Sequence, residues 1–179
     1  SLRKVQPERT RMSQHTTREE GIARLRELIE GITFAMLTTV EPDGTLRSRP
    51  MTVQETEFDG DLWFFTEADA PKVGDIEHER QVNVALAAPD EQRYVSLSGT
   101  ARLVRDVQKQ RELWSAPNKI WFPNGPDDPN LALLKVSVVR AEYWEAGSNR
   151  IGRLIDFARA VITGDERQVG ENRKLDLGR

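Results

Sequence analysis

The sequence predicts a mainly β fold of the α+β class, an antiparallel barrel of six strands with helices outside it. Three observations lead there. Apolar runs and period-two alternation recur between turn signals along most of the chain. A single short helical segment interrupts the cluster of strands. The regular strand–helix alternation of a doubly wound fold is missing, as is a glycine-rich phosphate loop. A sheet with so many strands and short turns curls closed to remove its edges.

Taken in order, Thr17 followed by Glu20 is the pattern of a capping box. Ile22, Leu25, Leu28, Ile29 and Ile32 then recur at helical spacing, so a first amphipathic helix is expected to run to about Gly31. Phe34 to Val40 reads as a buried strand, Glu41-Pro42-Asp43-Gly44 as a turn, and Leu46 to Gln54 as the returning strand of a hairpin. After a turn at Asp59-Gly60, the unbroken apolar run Leu62-Trp63-Phe64-Phe65-Thr66 predicts a strand buried on both faces. Lys72 to Glu79, with Pro71 ahead of it, has the size of a short connecting helix. Gln81 to Ala88 and Tyr94 to Val104 alternate as strands, and the second carries Tyr94, Ser96, Ser98 and Thr100 on one face. Asp106 to Leu113 is helical, Leu133 to Trp144 is the sixth strand, and Ile151, Leu154, Ile155, Ala158 and Ile162 suggest a last helix.

Between these last elements lies Trp114 to Pro129, WSAPNKIWFPNGPDDP, which holds two of the four tryptophans and four of the nine prolines. Proline and glycine prevent a regular helix or central strand, yet its large rings would leave an apolar patch in water. The rings need a cover, and the candidates are the protein's own core, a second subunit or a flat ligand. Within the loop, Asp127-Asp128 reads as turn chemistry rather than a metal site.

At 179 residues, one domain is expected, spanning 17–162. Residues 1–16 form a polar, basic leader without the apolar run of a signal peptide, and residues 163–179 form a polar tail expected to be mobile. No apolar stretch approaches the length of a membrane span. The 29 acidic and 26 basic residues are interleaved and offer no broad cationic face to nucleic acid or anionic lipid. The chain has no cysteine. Thiol nucleophiles and Cys metal sites are therefore ruled out, and the composition is compatible with a reducing cytoplasm.

Two constellations carry candidate chemistry. Arg47 and Arg49 share one face of a strand because side chains alternate with period two, and paired guanidinium groups suit a phosphate. The plainer reading is a solvated edge strand with spare charge. Thr66 at the end of the third strand and Lys72 at the start of the following helix add a hydroxyl, a cation and free helix amides within one short connection. The second constellation is aromatic: Trp63, Phe64, Tyr94, Trp114, Trp121, Phe122 and Trp144, of which Trp63 and Phe64 are expected in the core. His15 and His78 stand far apart with no partner motif, and no serine sits in a nucleophile elbow. Chemistry, if any, is expected from a cofactor.

The order AMLTTVEPDGTLRSRPM, LWFFTEADAPKVGDI, YVSLSGTARLV, the WFP-x-G-x-DDP loop and AEYWE resembles the bacterial general stress proteins of the pyridoxamine 5'-phosphate oxidase-like superfamily, over roughly residues 17–146. The resemblance implies a split β-barrel homodimer that binds FMN in two clefts at the subunit interface. It implies that Arg49, Pro50 and Met51, with Arg47 and Phe65 beside them, line the flavin and that Thr66 and Lys72 hold its phosphate. Tyr94, Ser96, the Trp121 loop and Trp144 would approach from the partner chain. True pyridoxamine phosphate oxidases carry a further C-terminal arginine and histidine motif for their substrate. Here no histidine follows Trp144, so the resemblance implies the cofactor and not the vitamin B6 substrate. The reading is a cytoplasmic FMN-dependent oxidoreductase with an unknown small-molecule electron donor or acceptor. A non-catalytic flavin-storing or sensing dimer, a deazaflavin-using reductase on the same fold and a purely structural interaction protein stay open.

Overall fold

The computed structural model describes residues 17–146 and 171–177. Helix α1 (Arg18–Ile29) begins where the sequence places it: Glu20 N donates to Thr17 Oγ1 at 3.3 Å and Thr17 N to Glu20 Oε2 at 2.8 Å, a reciprocal cap. Its last turn closes one residue before Glu30, and Gly31 takes the left-handed conformation (φ 76°) that lets the chain turn back. Strands β1 (Phe34–Val40) and β2 (Leu46–Thr52) form the expected hairpin, with Phe34 opposite Thr52 and Val40 opposite Leu46. Strand β3 (Asp61–Glu67), helix α2 (Pro71–His78) and strands β4 (Gln81–Ala88) and β5 (Arg93–Val104) follow. Helix α3 (Val107–Leu113), capped by Asp106, then leads through a 3-10 turn at Ala116–Ile120 to the long strand β6 (Leu131–Glu145).

All pairings are antiparallel, in the spatial order β2-β1-β4-β5-β6-β3. The inward faces of these strands, Ile22, Leu25 and Leu28 of α1, and Ile76 of α2 form one buried core. The expectation that β3 is covered on both faces holds. Phe64 enters this core, whereas Phe65 points the other way into a second cluster with Leu113, Leu131 and Leu133.

That second cluster settles most of the aromatic loop. Trp114 packs edge-on against Phe65 with ring centroids 5.5 Å apart, and Phe122 lies tilted at 6.1 Å. The protein's own core covers these two rings. Trp121 and Ile120 stay outside, 66% and 78% exposed. Two buried amides fix the path: Asn118 Nδ2 donates to Gln54 Oε1 at 3.0 Å, and Gln110 Nε2 donates to the Pro126 carbonyl at 2.9 Å. Asp128 accepts from Asn130 N and Asn124 Nδ2, the turn chemistry expected of it.

The sheet has seven strands rather than the six expected, the seventh formed within the polar segment at the end of the chain. Strand β7 (Glu171–Asp176) pairs with β6 from Arg140 to Glu145. The reason lies in β6, whose edge is occupied by β3 only as far as Ser137 and would otherwise leave a row of unpaired amides. Leu175 and Leu177 are buried in the main core. The expected helix around Ile151 to Ile162 lies outside the described residues.

Candidate functional site

Strands β2 and β3 are the two ends of the strand path, and a cleft of about 290 Å³ lies between them. Its lining is Pro50, Met51 and Thr52 from β2, Phe65 from β3, Lys72 from the first turn of α2, Phe34 from the start of β1, Gln54, and Trp121 from the aromatic loop. Residues far apart in sequence thus meet along the seam of the barrel. Pro50, Met51, Phe65, Lys72 and Trp121 were expected at one site and share one cleft. Phe34, Thr52 and Gln54 were missed. The hairpin register held the signal for Phe34, since β1 and β2 end together with Phe34 opposite Thr52.

Arg49 stands behind this lining, its side chain 16% exposed. Its Nη1 donates to Thr39 Oγ1 at 2.7 Å and its Nη2 to Asp75 Oδ2 at 3.3 Å, while Thr39 Oγ1 donates to Asp75 Oδ2 at 3.0 Å. Asp75 is one turn along α2 from Lys72. Lys72 is half-buried, and its ammonium is held below its ordinary value near 10.5, first by desolvation and then by the positive charge of Arg49, with Glu67 opposing. The two cations are thus within electrostatic reach of each other, Lys72 in the cleft lining and Arg49 outside it.

The other expected residues lie apart from it. Arg47 shares the face of Arg49 but turns outward to pair with Glu41 at 3.4 Å and leaves Arg49 to its own partners. Thr66 is 1% exposed on the inward side of β3 and donates to the Glu67 carbonyl at 3.0 Å, outside the cleft lining. Trp121, which the resemblance brings from a partner, lines this chain's own cleft. Its loop is tied down by Asn118 to Gln54 in the same chain.

Tyr94, Ser96 and Trp144 occupy the outward face of the sheet. Tyr94 is directly opposite Trp144 across β5 and β6, and both are partly exposed at 43% and 39%. Ser96 accepts from Asn83 Nδ2 at 2.9 Å. A single cross-strand row runs from Pro50 through Met36 and Ala85 to Ser96. Three strand steps of about 4.8 Å put Ser96 roughly 14 Å from Pro50. The same outward face carries exposed Phe34, Met36 and Leu46. Among the described residues there is no group of His, Asp or Glu able to hold a metal ion, and no helix is long and apolar enough to cross a membrane.

Comparison with known proteins supports the same picture. The chain is 30% identical over 167 residues to Protein bli-3 of Neurospora crassa, covering 88% of this chain and 80% of that protein. Among solved structures it is similar to the general stress FMN/FAD binding protein of Xanthomonas citri, with 28% identity, a TM-score of 0.62, and 73% of this chain and 92% of that one covered. It is also similar to General Stress Protein 26 of Bacillus anthracis, with 26% identity, a TM-score of 0.61, and 68% and 92% covered. The sequence pattern of the pyridoxamine 5'-phosphate oxidase like family matches residues 20–168. The barrel split between β2 and β3 is the fold of these proteins, and the chain belongs to the pyridoxamine 5'-phosphate oxidase like family.

Proposed function

We propose that this chain binds FMN in the cleft between β2 and β3, completes each site with a second copy of itself, and serves as an oxidoreductase of the general stress type. The observation that carries the reading is the cleft lining. The apolar side chains of Pro50, Met51, Phe65 and Trp121 line one cleft with the half-buried Lys72, and the Arg49 guanidinium lies within electrostatic reach of that ammonium. Such a cleft suits a planar ring joined to a phosphate. Desolvated cations bind a phosphate more strongly than exposed ones do, because the charge is less screened. The general stress relative from Xanthomonas citri, described as FMN/FAD binding, points the same way.

The roles divide along the cleft. Lys72 and Arg49 would hold the phosphate, Met51 and Thr52 would flank the ring, and Phe65 with Trp121 would keep water from it. When bound, the flavin supplies hydride or electron transfer. Tyr94, Ser96 and Trp144 lie about three strand steps from the cleft of their own chain, so they reach a flavin only from a second copy. The exposed apolar residues Phe34, Met36, Tyr94 and Trp144 on that outward face suit such a contact.

A second reading, a flavin-storing or sensing dimer without catalysis, draws on the same lining, where Lys72 is the one ionisable side chain. The absorbance spectrum of the purified protein, followed by FMN titration, tests the first part of the proposal. No flavin absorbance and no spectral change on adding FMN overturns it. Anaerobic photoreduction followed by stopped-flow mixing with nicotinamide or oxygen separates the two readings: a reduced flavin inert to every partner favours storage.

A further inference from the structure

Thr39 and Asp75 are the two residues that hold Arg49, and neither lines the cleft. Thr39 is fully buried at 0% exposure on β1. It lies opposite Arg47 in the hairpin and is therefore the diagonal neighbour of Arg49. Asp75 is 8% exposed, on the second turn of α2. The three side chains close a ring: Nη1 of Arg49 on Thr39, Thr39 on Asp75, Nη2 of Arg49 on Asp75. A guanidinium has five N–H donors, and this ring engages only one from each terminal nitrogen.

A buried ion pair alone is weak evidence of stabilisation, because desolvation offsets the attraction. Its better-attested use is to fix a geometry, and the structure has one here to fix. An unrestrained arginine loses considerable rotamer freedom on binding an anion. One already clamped at two corners loses little, so the gain from its remaining donors goes into binding. The same carboxylate joins β2 to α2 and thereby sets the spacing between Arg49 and Lys72, three residues ahead of it on the helix.

We propose that Asp75, with Thr39 as its hydrogen-bond relay, is a positioning residue that presets the Arg49 guanidinium, relative to Lys72, for the phosphate of the bound cofactor. This rests on the phosphate reading of the cleft given above. Charge alone makes the opposite prediction: removing a carboxylate beside two cations raises the local positive potential and should tighten anion binding. Positioning predicts that it weakens. The sign of the effect therefore decides.

The test uses the whole chain and two readouts. In the ligand-free protein, ¹⁵N spectra of arginine side chains are expected to show a slowly rotating Arg49 guanidinium, identified by its absence in Arg49→Lys and lost in Asp75→Asn and Thr39→Val. In titrations, Asp75→Asn is expected to weaken FMN by about tenfold or more, the loss of one charge-assisted hydrogen bond, and riboflavin by less than about twofold. Thr39→Ser, which keeps the hydroxyl, restores both signals. Should Asp75→Asn not fold, Thr39→Val and its serine control carry the same comparison. An ordered Arg49 in Asp75→Asn, or FMN affinity in that variant equal to or above wild type, overturns the proposal while leaving flavin binding intact. Wild-type protein that binds neither flavin but loses Arg49 order on Asp75→Asn removes the cofactor reading and keeps the clamp.

Discussion

Lys72 reaches the cleft from the first turn of α2, and its lowered proton affinity has two measurable consequences. In the unfolded chain the amine titrates near its ordinary value of 10.5, and in the ligand-free fold it titrates below that. Between the two values the unfolded state holds more protons, so stability rises with pH across that window. The difference in stability between wild type and Lys72→Met, measured by urea denaturation, is expected to shift in favour of wild type as pH climbs toward 10.5. Phosphate binding needs the charged amine and runs the other way. The FMN-to-riboflavin affinity ratio falls over the same window in wild type and stays flat in Lys72→Ala. At neutral pH, Lys72→Ala is expected to weaken FMN by roughly 10- to 100-fold, the range of one charge-assisted hydrogen bond, and to spare riboflavin. Equal weakening of both ligands would show that the phosphate lies elsewhere. Both Phe65 and Thr66 were expected at the flavin, although strand alternation sets neighbouring side chains on opposite faces. It is Phe65 that meets the cleft. The partners of Arg49 were not legible, because Asp75 lies 26 positions away in sequence on a different element.

The aromatic segment after α3 divides its labour among its rings. Trp114 and Phe122 close the second cluster over Phe65, whereas Trp121 is held out at the cleft by the buried amide pair of Asn118 and Gln54. Asn118→Ala strands the Gln54 carbonyl oxygen in a site 6% exposed and is expected to cost about 1–3 kcal/mol in urea denaturation. The sequence marked this segment as rings in need of a cover, and the core supplied most of it. Which tryptophan stays outside depended on hydrogen bonds between distant elements. A second feature was silent in the pattern, a shift of register between Ser98 and Gly99 where β5 crosses β6. A Cβ on Gly99 would lie 2.1 Å from the Ser137 carbonyl oxygen, and 2.9 and 3.0 Å from Ser137 C and Val138 Cα, all backbone atoms of β6. Gly99→Ala is expected to cost about 2 kcal/mol or more, again by denaturation, because relieving the clash requires moving strands rather than a side chain.

At the scale of the molecule, short turns marked the hairpins β1–β2 and β4–β5 and the count of strands marked closure into a barrel, but the pairings of β1 with β4 and of β3 with β6 join strands that are not consecutive and were not legible. The seventh strand escaped because its apolar signal is two leucines, Leu175 and Leu177, in a run of charge. The outward face, with Met36 in the row that links Pro50 to Ser96, is where a second copy is expected to dock. Met36→Glu places a charge there without touching the core, since the side chain is 42% exposed. It is expected to give a folded monomer in sedimentation velocity and to lose flavin along with the partner's Tyr94, Ser96 and Trp144. A Met36→Glu monomer that keeps full FMN affinity would show that one chain suffices. The close of the barrel also bears on how the chain is made. Leu177 packs so tightly against Gly21 that a methyl group added there would come within 2.9 Å of its Cδ2, and its own amide donates to the Val139 carbonyl. The first helix and the last strand complete the same core, so α1 leaves the ribosome long before its packing partner exists. Contacts between such distant stretches slow folding. The part of α1 around Gly21 therefore lacks its final cover until residue 177 has been synthesised.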